Sequence, residues 1–558
     1  MKYLLALLFI STFVFAELET KSKNFDWWKE AVIYQIYTRS YADSNGDGIG
    51  DLNGITAKLD YLADLGIDAI WLTPFYESPN VDFGYDIANY MTVGKEYGTL
   101  SDYDRLISEA ASRNIQIIND LVLNHTSDRH PWFVDSRSSR SSSKRDWYIW
   151  HDPVDDSAPN NWQSIFGGSA WEMDALTDQY YYHFFYPGQP DLNWRNPAVQ
   201  DALNKVMRFW LDRGAAGFRL DVPDTLLEDP GMHDNPIDEG LNWVGDPNMR
   251  NEYNMNLPEV HSIMRQLRKV VDEYPAAILL GETGSPETID ELLKWYGDSD
   301  ELHLAMNFLY TNVNKLSAEE FIKHVIDSDR NAHIGWPVYL LSNHDRTRHL
   351  SRFADSIHND AIAKQLAAMT LTLRGTPILY YGEEIGMTTH NPIRLEDVKD
   401  PIGRLFWPDF KGRDGSRTPM QWNSSQYSGF SQAKPWLSVP DTAAKINVET
   451  QLNDDHSILT FYHKLLAVRK SSSALRHGEW THIPTLSHEV FAYLRHSSSE
   501  TILVIHNMSA SVHDLDLQEL IVSSTFEVLL SNQNRQLITE TLLHLQPYET
   551  LISRVLKK

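Results

Sequence analysis

Eight short apolar runs alternate with helix-like segments through the middle of the chain. Continuous apolar runs of this length are typical of parallel strands that are buried on both faces. The runs cover residues 31–37, 68–73, 115–122, 217–222, 277–281, 303–308, 337–341 and 377–381. Strands that alternate with helices predict an α/β fold, and eight of them predict a (β/α)8 TIM barrel.

The segment before the fourth run has the periodicity of an amphipathic helix. Its apolar residues recur at intervals of three and four, so they fall on one helix face. They are Leu203, Val206, Met207, Trp210 and Leu211.

Two regions interrupt the alternation. Residues 124–188 are too long for an ordinary connection between barrel strands and are rich in aromatics, which predicts a small inserted domain. After about residue 480, short β-type runs with polar turns predict a C-terminal antiparallel β-sandwich. These runs cover residues 491–495, 501–506, 526–530 and 550–555. The predicted barrel is therefore split over 24–123 and 189–479, and the C-terminal domain covers 480–558.

The first 16 residues have the pattern of a secretory signal peptide. Lys2 precedes a short apolar stretch that ends at the small residue Ala16, and a polar segment begins at Glu17. The stretch is shorter than the ~20 residues that a membrane-spanning helix needs. A buried helix or an uncleaved anchor is the alternative. We expect a secreted or periplasmic protein that has no membrane attachment after cleavage.

Composition and charge narrow the possible partners. The 49 Lys and Arg against 76 Asp and Glu give a net charge of −27, which disfavours nucleic acids and anionic membranes. The absence of cysteine excludes disulfides, thiolate metal sites and cysteine nucleophiles. The 17 Trp and 26 Tyr fit a neutral sugar substrate, because aromatic rings stack on the apolar faces of sugars. Nothing in the sequence indicates the oligomeric state.

Polar residues collect where four of the predicted strands end. In a barrel these ends share one mouth, where catalytic groups lie. Helix capping explains one such carboxylate more easily than a set at four strand ends. The residues are Asp120, Asn124, His125, Arg219, Asp221, Glu282, Asn343, His344 and Asp345.

Several carboxylates at one site suit the cleavage of a glycosidic bond. One carboxylic acid protonates the leaving oxygen, while a second carboxylate attacks the anomeric carbon or activates water. Arg219 and Asp221 are two residues apart, so they face the same side of a strand. We expect Arg219 to keep Asp221 anionic, as a nucleophile requires.

A second motif has the pattern of a cation-binding loop. Asp43, Asn45, Asp47 and Asp51 stand at alternate positions with glycines between them. Oxygen ligands in a glycine-rich turn suit a hard cation, although the Glu of an EF-hand is missing. A turn without metal is the alternative.

Together, the motifs resemble the α-amylase superfamily, glycoside hydrolase family thirteen. The resemblance extends from about Trp27 to the C-terminus. Four motifs follow the order of that family: residues 120–125, 217–221, 281–283 and 342–345. Residues 84–86, 189–193 and 413–422 resemble its oligo-1,6-glucosidase and α-glucosidase branch.

The resemblance implies a retaining, exo-acting α-glucosidase that releases glucose from the non-reducing end of short α-glucosides. In this family pattern Asp221 is the nucleophile, Glu282 is the general acid and base, and Asp345 stabilises the transition state. Asp86 is expected to bind the terminal glucose together with an arginine, either Arg413 or Arg417. The other implied substrate-binding residues are Tyr85, His125, Phe166, Gln189, Arg219 and His344.

The resemblance also implies one structural Ca²⁺ in loop 43–51. Its ligands are the side chains of Asp43, Asn45, Asp47 and Asp51 and the backbone carbonyl of Ile49. No organic cofactor is implied.

The linkage preference stays open. Val222 follows the expected nucleophile, as in enzymes that prefer α-1,6 bonds, but Pro223 and Asp224 come next, unlike the common isomaltase pattern. The substrate is therefore of the maltose, isomaltose or sucrose type. A transglycosidase or isomerase, such as a trehalose synthase or sucrose isomerase, would use the same residues. A non-catalytic relative of transporter heavy chains is a third possibility.

Overall fold

The computed structural model describes residues 26–284, 286–517, 524–536, 538 and 542–557. The predicted signal peptide, residues 1–16, lies outside the described residues. A search of the described helices finds none that is both long enough and apolar enough to span a bilayer.

Eight parallel strands form a nearly closed barrel, as predicted. They pair in the order β6–β5–β4–β3–β2–β1–β8–β7. Consecutive strands are therefore paired except β6 and β7, and the last strand, β8, pairs with the first, β1. The strands are β1 (Ile33–Ile36), β2 (Ala69–Leu72), β3 (Gln116–Val122), β4 (Gly217–Asp221), β5 (Ile278–Gly281), β6 (Leu304–Ala305), β7 (Val338–Tyr339) and β8 (Thr376–Tyr380). β8 is as long as its apolar run, β3, β4 and β5 are each one residue shorter than theirs, and the other four strands are shorter by two or more.

Alternate residues of the strands fill two separate cores. Ile33, Trp71 and Ile118 belong to a cluster inside the barrel, together with Leu280. Their neighbours along the strands, such as Ile70, belong to the larger core that includes the helices. This period of two explains why the strands read as continuous apolar runs.

Helices surround the barrel and connect its strands. The predicted amphipathic helix is Pro197–Asp212, and all five of its predicted apolar residues are buried. Asn196 caps its first turn by accepting a hydrogen bond from Ala198 N. The other helices are Trp27–Glu30, Leu52–Thr56, Leu59–Leu65, Leu100–Ser112, Pro131–Ser138, Val260–Val271, Ile289–Lys294, Phe308–Thr311, Ala318–Arg330, His349–Phe353, Asn359–Thr372, Pro401–Leu405, Val448–Leu452, Ile458–Ser471 and Ser473–His477.

A small antiparallel sheet follows β3, within the region predicted as an insertion. Its strands are Trp150–His151, Trp171–Asp174 and Gln179–Tyr182, packed around an aromatic core. The bridge between His125 and Asp191 ties this region to the mouth of the barrel. Two hairpins add further strands on the same side of the fold: Tyr76–Glu77 with Asn89–Val93, and Ile237–Leu241 with Pro247–Met249.

The C-terminal region is antiparallel, and its four predicted strands are present. The five-stranded sheet contains Glu479–Ile483, Val490–His496, Thr501–Asn507, Thr550–Lys557 and Ser524–Ser531. A ribbon of His513–Asp516 and Leu542–Leu545 shares a core with one face of this sheet. The other face joins the barrel, where Arg495 Nη1 donates to the Thr372 carbonyl at 2.5 Å.

Candidate active site

A cavity of about 80 Å³ opens at the carboxyl ends of the barrel strands. So small a cavity suits one sugar unit better than a long chain. Eight of the twelve predicted catalytic and substrate-binding residues line it. The lining consists of Asp82, Tyr85, His125, Phe166, Phe185, Gln189, Asp221, Val222, Glu282, Asp345 and Arg413.

Arg219 lies beneath the cavity and binds three carboxylates at once. Its Nη1 donates to Asp221 Oδ1 at 2.7 Å and to Asp120 Oδ1 at 2.8 Å. Its Nη2 donates to Glu282 Oε2. Asp120 is the register partner of Arg219 on β3, and Glu282 follows the neighbouring β5, so strand pairing brings the four groups together.

One guanidinium cannot neutralise three buried carboxylates. Burial raises the pKa of Asp221 and of Glu282 to about 7 each, although Arg219 lowers both. Burial likewise raises the pKa of Asp120 to about 6. The group therefore keeps a proton near neutral pH, and its members titrate together. Arg219 favours the anionic form of Asp221, as predicted, but burial outweighs that effect.

Asp345 lies among positive and neutral groups instead. Arg417 Nη2 donates to its Oδ1 at 2.6 Å, and His344 Nε2 lies 3.1 Å from its Oδ2. Burial would raise the pKa of Asp345, but His344, Arg417 and Arg413 hold it well below the usual range. Asp345 is thus anionic near neutral pH.

Tyr85, in the cavity wall, stacks on the buried His344. Their rings are 5.3 Å apart and parallel within 1°, and the Tyr85 hydroxyl donates to Asp120 Oδ2 at 3.0 Å. Gln35 Nε2 lies 2.8 Å from His344 Nδ1. Burial lowers the pKa of His344 well below its usual value, although the neighbouring Asp345 opposes this effect. The sequence interpretation missed Gln35, although it is the one amide inside the apolar run 31–37.

His125 and Gln189 form the adjoining part of the wall. His125 Nε2 lies 2.9 Å from the Tyr85 carbonyl and 3.1 Å from Gln189 Nε2. Burial lowers the pKa of His125 to about 4, so it binds as a neutral group near pH 7. Both predicted residues face the cavity.

The predicted pairing of Asp86 with an arginine is wrong. Asp86 is fully buried and accepts hydrogen bonds from Val81 N, Asp82 N and the Ser78 hydroxyl, at 2.8, 3.0 and 2.9 Å. Arg413 Nη2 instead donates to Asp82 Oδ1 at 2.6 Å. The tight turn at 82–86 directs the first Asp into the cavity and uses the second to close the turn. Asp82 stands four residues before Asp86, just ahead of the motif at residues 84–86.

The structure separates the two candidate arginines. Arg413 lines the cavity, and its guanidinium lies 5.5 Å from the centre of the Phe166 ring. Arg417 is fully buried behind Asp345, and its Nε donates to the His344 carbonyl at 3.0 Å. Arg413 can therefore contact a ligand, while Arg417 positions Asp345 and His344.

Val222, directly after Asp221, adopts a strained backbone conformation. Its φ of 35° is rare for a β-branched residue, and such strain clusters at functional sites. Val222 lines the cavity, and the turn Pro223–Thr225 follows it. Asp224 in that turn is buried, with neither carboxylate oxygen bonded to any described residue. Burial raises the pKa of Asp224 to about 7.

Loop 43–51 closes on itself through its own polar groups. Asp43 accepts hydrogen bonds from Asn45 N, Gly46 N and Gly48 N, at 3.0, 2.7 and 2.8 Å. Asp47 Oδ1 accepts from Ile49 N at 2.8 Å.

Asp51 caps the helix Leu52–Thr56 and accepts from the Ser44 hydroxyl at 2.7 Å. The donor chemistry of the loop fits a hard cation. Within the described ranges, however, no three acidic or histidine side chains converge as a metal site.

Comparison with known proteins agrees with this arrangement. The family described as "Alpha amylase, catalytic domain" matches residues 35–478, and "Alpha-amylase SusG C-terminal domain" matches residues 490–552. The probable alpha-glucosidase of Rhizobium meliloti is 45% identical, covering 89% of this chain and 92% of its own. The oligo-1,6-glucosidase of Bacillus cereus is 37% identical, covering 95% and 99%.

The trehalulose synthase MutB of Pseudomonas mesoacidophila is similar in structure. Its TM-score is 0.88 at 37% identity, covering 95% of this chain and all of its own. The residues at the strand ends, the barrel that gathers them and these relatives together establish the family. The chain belongs to the α-amylase family, glycoside hydrolase family thirteen, in the branch that contains the oligo-1,6-glucosidases, and it is a glycoside hydrolase.

Proposed function

We propose that this protein is a retaining, exo-acting α-glucosidase that releases α-glucose from the non-reducing ends of short α-glucosides. The observation that carries the proposal is a small cavity that combines the Asp221–Arg219–Glu282 group with the Asp82–Arg413 ion pair. Relatives named alpha-glucosidase and oligo-1,6-glucosidase support it.

The chemistry proceeds in two displacements on one carbon. Asp221 attacks the anomeric carbon and forms an ester bond, while the glycosidic bond breaks and Glu282 gives its proton to the leaving oxygen. Glu282, now ionised, takes a proton from water, and the resulting hydroxide attacks the same carbon and releases Asp221. Two inversions leave the glucose in the α configuration.

The shared proton suits this division of roles. Three carboxylates around one guanidinium hold a proton near pH 7, so an acid and an ionised nucleophile coexist in the cavity. Asp345 stays anionic and accepts hydrogen bonds from the sugar hydroxyls as positive charge develops on the ring.

The ion pair of Asp82 and Arg413 closes one side of the cavity. Charged groups at that position bind the terminal hydroxyls of a sugar, and they leave no passage for a chain that continues past it. The enzyme therefore removes terminal glucose and does not cut within a chain. Phe166 covers the cation next to it.

A second candidate is transfer of the glucosyl group to a sugar instead of water. Solved structures titled trehalulose synthase and alpha-glucosyl transfer enzyme share this fold at TM-scores of 0.88. The same nucleophile and acid serve that reaction. The two reactions differ in the acceptor that attacks the anomeric carbon in the second displacement, which is a sugar hydroxyl in transfer and water in hydrolysis. Because the chain is a glycoside hydrolase, the non-catalytic alternative is set aside.

The N-terminal 16 residues are proposed to direct export, with the mature enzyme secreted or periplasmic and acting on small oligosaccharides. Their pattern of Lys2, an apolar stretch and Ala16 supports this.

Product analysis tests the proposed function. The enzyme is incubated with maltose, isomaltose, sucrose, trehalose and starch, and products are separated by chromatography while NMR follows the anomer first released. We expect α-glucose from at least one disaccharide, little from starch, and no product with Asp221→Asn. Sucrose isomers or longer glucosides as main products would favour the transferase, and β-glucose would contradict double displacement.

The proton on Glu282 should set the alkaline limb of the pH profile. We expect kcat/KM to be bell-shaped around neutral pH, since a second proton blocks Asp221 at low pH and loss of the shared proton removes the acid at high pH. Glu282→Gln should remove the alkaline limb and lower kcat/KM for maltose by about 10²–10⁴, with a smaller loss for p-nitrophenyl glucoside. An alkaline limb that persists in this variant would assign the proton to another residue.

Substitution of Asp82 should mainly affect substrate binding, and substitution of Asp86 should mainly affect stability. Asp82→Ala removes a charge-assisted partner of Arg413 at the cavity, so kcat/KM for maltose should fall about tenfold to a hundredfold. Asp86→Ala leaves two backbone amides without an acceptor, so it should lower the melting temperature more than Asp82→Ala does. The reverse pattern in steady-state kinetics and thermal melts would restore Asp86 as the ligand-binding residue.

Loop 43–51 is proposed to bind one Ca²⁺ on the strength of its oxygen donors. Removing the ion should lower stability without removing a catalytic group, because ligands that bind only the native state stabilise it. We expect a lower melting temperature in EDTA than in Ca²⁺, and no such difference for Asp47→Ala. Equal melting temperatures for the unsubstituted protein would mean that hydrogen bonds alone close the loop.

A further inference from the structure

Several large apolar side chains are exposed on the side of the fold that carries the cavity. Trp243 is 57% exposed at the tip of the hairpin between Ile237–Leu241 and Pro247–Met249. Leu241 in the same hairpin is 70% exposed, and Leu405 is 65% exposed. Exposed apolar patches on soluble proteins mark places where something binds.

Three aromatic residues form the centre of this patch. The Trp243 ring lies 5.5 Å from the ring of Phe406 and 5.2 Å from the ring of Phe410. Trp243 comes from the hairpin after β4, while the two phenylalanines follow the helix Pro401–Leu405. We call Trp243, Phe406 and Phe410 the aromatic rim.

The loop at Gly167 joins the aromatic rim to the cavity. Phe406 packs so closely on Gly167 that a Cβ there would lie 3.2 Å from Phe406 Cζ. Gly168 N donates to Asp246 Oδ2 at 2.7 Å, which fixes this loop to the hairpin. The preceding residue, Phe166, lines the cavity. The rim is therefore adjacent to the cavity and outside it, since none of its three residues belongs to the cavity lining.

The chemistry around the rim fits a neutral sugar chain. Aromatic rings stack on the apolar faces of sugars. The hairpin contributes the acidic residues Asp238, Glu239 and Asp246, of which Asp238 is paired with Arg250, and the chain carries a net charge of −27, so these charges do not favour an anionic ligand. Sugar hydroxyls, in contrast, can donate to such carboxylates.

We propose that the aromatic rim binds the sugar units of an α-gluco-oligosaccharide beyond the first two, while its terminal glucose occupies the cavity. This rests on the proposed α-glucosidase function and adds a preference for chain length. Three or more units reach the rim, and a disaccharide does not.

Chain-length kinetics test the rim. We expect Trp243→Ala to lower the ratio of kcat/KM for the trisaccharide to that for the disaccharide by about threefold to tenfold, in the malto or isomalto series that the enzyme cleaves. Disaccharide hydrolysis should stay within about twofold, because a disaccharide does not reach the rim. Trp243→Phe should restore the ratio, and Leu486→Ala, at a fully exposed site in the C-terminal region, serves as the control.

Three results would overturn the proposal. The first is an unchanged ratio in Trp243→Ala, and the second is an equal loss of kcat/KM on both substrate lengths. The third is a sedimentation coefficient of Trp243→Ala that differs from that of the unsubstituted enzyme, which would mark the patch as a contact between copies of the chain. Absence of glucose release from every substrate by the unsubstituted enzyme would instead refute the proposed function. In that case calorimetry measures the affinity for maltotetraose. Equal affinities of the unsubstituted enzyme and Trp243→Ala would overturn the proposed role of the rim.

Discussion

The charge of Arg219 is the constraint on which the active site depends. A fully buried guanidinium and the carboxylates around it must satisfy one another, because an unpaired buried charge costs several kcal/mol. Arg219 meets this requirement with Asp120, Asp221 and Glu282, each from a different strand or strand end. The same interaction therefore fixes the positions of the catalytic groups and leaves them one positive charge for three carboxylates.

That shortage of positive charge separates the roles of the acidic residues. Asp221 and Glu282 share a proton near neutral pH, whereas Asp345 has Arg413 and Arg417 beside it and stays ionised. Carboxylates on one barrel mouth thus behave differently because of what surrounds each of them. The neutral state of His125 adds hydrogen-bonding capacity to the wall without adding charge.

Segments outside the barrel convert an open mouth into a closed pocket. The turn at 82–86 supplies Asp82, the inserted region supplies Phe166, and the segment after β8 supplies Arg413. The hairpin after β4 and the helix Pro401–Leu405 extend the same surface outward as the aromatic rim. The barrel therefore holds the group of carboxylates around Arg219, and the added segments bound the cavity above it.

The eight strands and the carboxylates at their ends can be predicted from the sequence alone. Buried parallel strands must be apolar along their length, and catalytic groups of a barrel must follow them, so both features are local and can be read along the chain. That Asp82 and not Asp86 contacts Arg413 is visible only in the folded chain, since the contact joins residues 331 positions apart and depends on the shape of a tight turn. The folded chain also shows that Arg413 lines the cavity while Arg417 does not, and that Arg219 binds three carboxylates. Those outcomes depend on direction and distance between side chains, which the order of residues along a chain does not specify.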